Sequence, residues 1–195
     1  MKKFVKNFWS LNVDEALVAN WLKQKDTLGS DYEIFFPINA QLEYVDLIVF
    51  NKNNQKTVTI QVKSSQSYLV KDEPEDYWSS GHDIQLEKID PDKVDFFIFT
   101  CYYPKLPKKK TGNSRDITKY FVVFQTSKLK DYVMKVKELK LIKSKRIPFN
   151  FCIYPADKKL YEEGGLKEQY AKSDTPMPTL QDTRNNYKII KKMLQ

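Results

Sequence analysis

EYVDLIVF at residues 43–50 and TVTIQVK at residues 57–63 decide the fold. In the second stretch Val58, Ile60 and Val62 alternate with Thr57, Thr59, Gln61 and Lys63. That is the period of two expected of a strand with one apolar face. The first stretch is β-rich and mostly apolar, and the run Asn51-Lys52-Asn53-Asn54-Gln55 between them is turn material. Two strands around a short polar turn predict an antiparallel hairpin. In the right register this hairpin sets Asp46 beside Gln61 and Lys63, which share a face.

Working outward, Asn12–Gln24 reads as a helix, with Leu17, Val18, Trp21 and Leu22 forming one apolar stripe. Asn12 can cap it, with Glu15 three residues on as the second half of the box. Gly29 and Ser30 mark a turn, and Tyr32–Phe36 a short strand ending at Pro37. Residues 64–92 are polar and acidic, which predicts a long loop with room for a short helix; His82 then reads as a surface residue. Val94–Tyr103 (VDFFIFTCYY) is almost continuously apolar, as in a strand buried on both faces. Tyr120–Gln125 reads as another buried strand, Lys128–Lys140 as a helix and Phe149–Tyr154 as a strand. A short helix is expected within Asp157–Tyr170 and a basic amphipathic helix over Asp182–Leu194. The order is helix, three strands, a connection, then strand and strand-helix. It predicts one domain over residues 1–195, an α/β fold with a mixed sheet flanked by helices.

Composition narrows the function classes. The chain has 195 residues, 41% hydrophobic and 14% aromatic, with 5 Gly and 9 Pro, which excludes a disordered or collagen-like chain. Cys101 and Cys152, each in an apolar run, read as core thiols and form neither a disulfide framework nor a zinc site. Lys6, Asn7 and Asn12 break any signal-peptide core, and no window is apolar enough to span a membrane. A cytoplasmic, reduced setting is expected. The net charge of +8 is uneven: residues 1–100 carry 11 basic and 16 acidic side chains, residues 101–195 carry 22 and 9. The balances of −5 and +13 point to a polyanion meeting the second half.

A single histidine excludes His-based triads and histidine-rich metal sites, and there is no glycine-rich phosphate loop. What remains is Asp46, Gln61 and Lys63. A carboxylate, an amide oxygen and an ammonium converging on a sheet suit metal-dependent phosphodiester hydrolysis. Mg²⁺ takes oxygen ligands and keeps several waters, so one or two carboxylates and a carbonyl suffice. A neighbouring lysine can position water and stabilise developing charge.

Glu15-Ala-Leu-Val-Ala, Asp46-Leu-Ile-Val and Ile60-Gln-Val-Lys63-Ser-Ser together resemble the PD-(D/E)XK nuclease superfamily, closest to its Mrr-like branch with Gln in the acidic position. The likeness covers residues 10–125. It implies a restriction-endonuclease-like fold with an αβββαβ core; residues 126–195 lie outside the likeness and are expected to add strand and helix elements of unknown role, with a C-terminal helical extension. It also implies a nuclease of restriction, defence or repair type, with DNA favoured over RNA. Asp46 would be the central metal ligand, Gln61 a second oxygen donor, Lys63 the group acting on water and phosphate. Glu15, or Asp14 beside it, would be an outer acidic residue. Mg²⁺ is the implied cofactor, with Mn²⁺ open to it. Double-strand cutting by this fold usually takes two active sites, which leaves room for a homodimer. Val45 stands where the family pattern has Pro, and the neutral Gln61 weakens metal binding. A catalytically weak or inactive nucleic-acid-binding module is therefore the alternative. Lys108, Lys109, Lys110, Lys145 and Arg146 are the expected phosphate contacts, joined by lysines of the last helix.

Overall fold

A computed structural model describes residues 13–37, 44–65, 67–70, 77–104, 117–139, 143–153, 160–163 and 186–195. Within them the fold is mixed α/β. Helix α1 (Val13–Lys23) leads into strands β1 (Tyr32–Phe35), β2 (Leu47–Asn51) and β3 (Thr57–Ser64). Strands β4 (Ser67–Val70) and β5 (Tyr77–Gln85) and a 3-10 turn at Leu86–Lys88 follow. The chain continues through β6 (Phe96–Pro104), β7 (Ile117–Gln125), α2 (Thr126–Leu139), β8 (Arg146–Ile153), β9 (Leu160–Glu163) and α3 (Lys188–Leu194).

Sheet 1 has the order β1-β2-β3-β6-β7, and only its β3–β6 pair is parallel. Sheet 2 has the order β4-β5-β8-β9 and is antiparallel throughout. The expected hairpin is β2–β3, with Leu47 opposite Ile60 and Val49 opposite Val58. Val58, Ile60 and Val62 are buried against Val18, Ala19 and Leu22 of α1, together with Ile98, Phe121, Val123 and the α3 residues Ile190 and Leu194. Trp21 stacks on Phe121 at a ring separation of 4.5 Å. Strand β6 is buried on both faces, as its continuous apolar run requires: Phe96 and Ile98 face α1, while Phe97, Phe99 and Cys101 face α2 and sheet 2. Burial pushes the Cys101 thiol up to about 12, which makes it an inert core group.

Two joints hold sheet 1. Asp95, just before β6, accepts the backbone N–H and hydroxyl of Thr59 at 2.7 and 2.9 Å, pinning β6 to β3. Gly29, at φ 82°, lets the chain reverse after α1.

The polar segment 64–92 is not a long loop. It forms β4, β5 and the 3-10 turn, so strands, not the α of an αβββαβ core, fill the described part of the β3–β6 crossover. Composition misleads here because β5 buries polar residues. Ser79, Ser80 and His82 are all inside, in a strand paired on both sides. At Gly81 an added Cβ would lie 2.9 Å from the side-chain oxygen of Asn150 on β8, so that amide would have to shift to admit a larger residue. His82 is accordingly not a surface residue. Its ring meets Phe99 and Phe151 edge-on at 5.1 and 5.3 Å, its Nε2 lies 3.2 Å from Ser80 Oγ, and burial lowers its pKa to about 4. Within Asp157–Tyr170, where a helix is expected, the described residues form strand β9. The basic last helix is shorter than its pattern and is a core element. Ile190 and Leu194 are fully buried, and Asn51 and Asn54 donate to the Leu194 carbonyl at 3.0 and 2.7 Å.

No helix among the described residues is long and apolar enough to cross a membrane.

Candidate active site

The register of β2 and β3 builds the site. Asp46 sits one residue before β2, but its N–H still donates to the Ile60 carbonyl at 2.8 Å, so the ladder continues through it. That places Asp46 opposite Gln61. One carboxylate oxygen of Asp46 accepts the Val62 backbone N–H at 2.8 Å and the side-chain amide of Gln61. The Gln61 amide nitrogen thus has a carboxylate acceptor. Because the two ends of an amide diverge, its oxygen is turned away from the carboxylate atom that receives the NH₂. Gln61 is buried and Asp46 half-buried.

Lys63 follows Gln61 by one strand period and shares its face. Gln61 pairs with Phe97 and Lys63 with Phe99 across the β3–β6 ladder. Lys63 is half-buried, at the border between the part of this face that sheet 2 and α2 cover and the part lying on β1 to β3.

The acidic pair of α1 approaches from the other face. Asp14 accepts from the Thr100 hydroxyl at 3.3 Å and from the Tyr102 hydroxyl. Thr100 pairs with Ser64, the residue after Lys63, so the first turn of α1 lies at the same end of the sheet as Lys63. Burial, then the Asp14 carboxylate, holds the Tyr102 phenol above its ordinary range, which keeps it a neutral donor. Glu15 is buried on this turn, at 6% exposure. The capping partner expected for it, Asn12, lies outside the described residues. The sequence-predicted set is therefore gathered at one end of sheet 1: Asp46 and Gln61 in direct contact, Lys63 on their face, and Asp14 and Glu15 on the α1 side.

Among the described residues no three His, Cys, Asp or Glu side chains cluster as a metal cage. The oxygen donors on the Lys63 face are those of Asp46 and Gln61, while Asp14 and Glu15 belong to the α1 side of the sheet. That is a sparse, hard set, of the kind Mg²⁺ accepts when water and phosphate complete the shell.

The expected phosphate contacts divide. Lys108, Lys109 and Lys110 lie outside the described residues. Lys145 and Arg146 are exposed at the start of β8, in sheet 2 rather than the sheet of Asp46. One basic feature escapes the sequence pattern. An open cleft of about 550 Å³ lies between the end of α1, the turn after it and the β2–β3 turn, with Lys23, Lys25 and Lys52 in its lining. Glu33 bridges two of them, at 2.9 Å from Lys23 and 3.4 Å from Lys52. The Lys23 hydrogen bond holds its carboxyl below the usual range. These lysines are scattered in sequence, and the chain reversal alone joins them.

Comparison of the chain with family models, with curated proteins and with solved structures finds no match.

Proposed function

We propose that this chain is a metal-dependent nuclease, an endonuclease acting on DNA, built on a restriction-endonuclease-like sheet in which β4 and β5 occupy the β3–β6 crossover. The observation that carries the reading is the direct contact of Asp46 with Gln61, with Lys63 one period further on the same face. A cation at the Asp46 carboxylate, which the Gln61 amide oxygen could join only by turning over its present contact, would lower the pKa of a bound water and offset phosphate charge. The chain's own residues do the rest. The Val62 N–H and the Gln61 amide fix the Asp46 carboxylate, so it does not have to be ordered when substrate arrives. Lys63 offers a cation to a phosphate oxygen or an attacking water. Its half-buried position makes that charge count for more than it would in open solvent. Asp14 and Glu15 bring negative charge to the same end of the sheet from α1.

A second reading is a nucleic-acid-binding module without turnover. What favours it is Gln61, which is neutral and gives its amide NH₂ to Asp46.

Purified protein incubated with DNA and Mg²⁺ or Mn²⁺ separates the two. Under the nuclease reading, cleavage is metal-dependent and falls by ~10²-fold or more in Asp46→Ala and in Lys63→Ala. Binding without cleavage in the wild type leaves the module. Cleavage that survives both substitutions excludes this site as its source.

A further inference from the structure

Strand β2 carries more than the carboxylate before it. Asp46, Ile48, Phe50 and Lys52 are alternate residues, and period two puts them along one face. The ladder adds Phe35 from β1, opposite Ile48, and Glu33, opposite Phe50. This is the face of Gln61 and Lys63, and helices α1 and α3 pack on the other one. Sheet 2 and α2 pack on its β6–β7 portion. On the β1–β2 portion, Ile48 and Phe50 are half-buried and Phe35 is 53% exposed, its ring edge-on to Phe50 at 6.4 Å. At the far end Lys52 and Lys23 reach Glu33 and neutralise it, with Lys25 beside them in the same cleft.

We propose that this open face is a track for single-stranded nucleic acid, running from Asp46 and Lys63 across Phe35 and Phe50 to the Lys23–Lys52 cleft. The proposal rests on the nuclease reading and names its substrate: an unpaired strand. Three observations converge on that occupant. The six residue steps from Asp46 to Lys52 span ~20 Å, room for about six nucleotides stacked at ~3.4 Å each and fewer when extended. Aromatic rings on an open sheet stack on bases of any sequence, which a paired duplex keeps inside its helix. The ends of the track supply Lys63 at one side and an excess of lysine over carboxylate at the other, as a phosphate backbone requires.

The test is anisotropy titration of a labelled single-stranded oligonucleotide, and of the same sequence as a blunt duplex, in chelator so that no cleavage occurs. Phe35 is exposed, so Phe35→Ala leaves the core intact; Phe35→Trp restores a stacking ring. The expected result is tighter binding of the single strand, weakened roughly tenfold in Phe35→Ala and kept in Phe35→Trp, with duplex binding unmoved. Equal single-strand affinity in wild type and Phe35→Ala overturns the track, as does preference for the duplex. Loss in Phe35→Ala of a wild-type self-association, seen as mass against concentration, assigns the face to a second copy and overturns it too. Metal-dependent cleavage abolished by Asp46→Ala, measured on the same preparations, keeps the nuclease reading standing when the track fails. Its absence removes both.

Discussion

One face of sheet 1 has two halves with opposite fates. Over β6 and β7, Phe97, Phe99 and Phe124 lie under sheet 2 and α2, buried at 6% exposure or less. Over β1 and β2, Phe35 and Phe50 occupy equivalent outward positions on the same face, yet one is exposed and the other half-buried. The residue type and the strand period are the same. What differs among the described residues is that sheet 2 and α2 pack over one pair of rings and not over the other. A buried ring stabilises the fold, whereas an open one is available to bind. Lys63 stands on the border of the two halves, where a charge is shielded yet within reach of solvent.

The largest way to break this contrast is to truncate a ring on each side. Phe99 is fully buried and meets His82, Phe124 and Phe151. Phe99→Ala is expected to cost about 3–5 kcal/mol in denaturant unfolding. Phe35→Ala is expected to stay within about 0.5 kcal/mol of the wild type. Comparable losses at both positions would mean the open half is covered.

Acid tests the covered half next. His82 titrates at about 4 in the folded chain against an ordinary 6.5, because burial disfavours its charged form. The unfolded chain takes up the proton first as pH falls. Stability is therefore intact above pH 6.5, declines between 6.5 and about 4, and levels off below, for this group, after a loss of about 3 kcal/mol. Unfolding midpoints measured across that window should follow this slope, and His82→Phe should remove its share of it. A slope unchanged by the substitution would place the histidine in water.

The smallest effect belongs to the α1 face. Asn51→Ala removes one of two side-chain donors to the Leu194 carbonyl, Asn54 supplying the other. A loss of about 1 kcal/mol is expected, with α3 fraying first in hydrogen exchange.

The sequence shows sheet 1 and, of sheet 2, only part of β8. Val58, Ile60 and Val62 declare their face by strict alternation, and Val94–Tyr103 declares a doubly buried strand by its unbroken apolar run. The same alternation makes the Asp46–Gln61 neighbourhood readable, since a hairpin has few registers that bury one face. Strand β5 carries no such signal. Ser79, Ser80 and His82 read as polar surface, and their burial follows from β8, which comes from the far side of β6, β7 and α2. Periodicity likewise tells which residues share a face but not which face is covered. The unbroken run marks Phe97 and Phe99 as buried, but pattern leaves the exposure of Phe35 and Phe50 undecided.

The threading of sheet 2 around sheet 1 sets an order of assembly. Strands β1 to β3 are separated by 11 and 5 residues and β6 and β7 by 12, whereas β5 waits for a partner 60 residues on, made after β6, β7 and α2. Closure entropy favours the local ladders and delays the distant one. On a growing or refolding chain, Asp46 and Gln61 are joined while β5 still presents an unpaired edge. An edge left unpaired in that interval is open to pairing with another chain until β8 arrives.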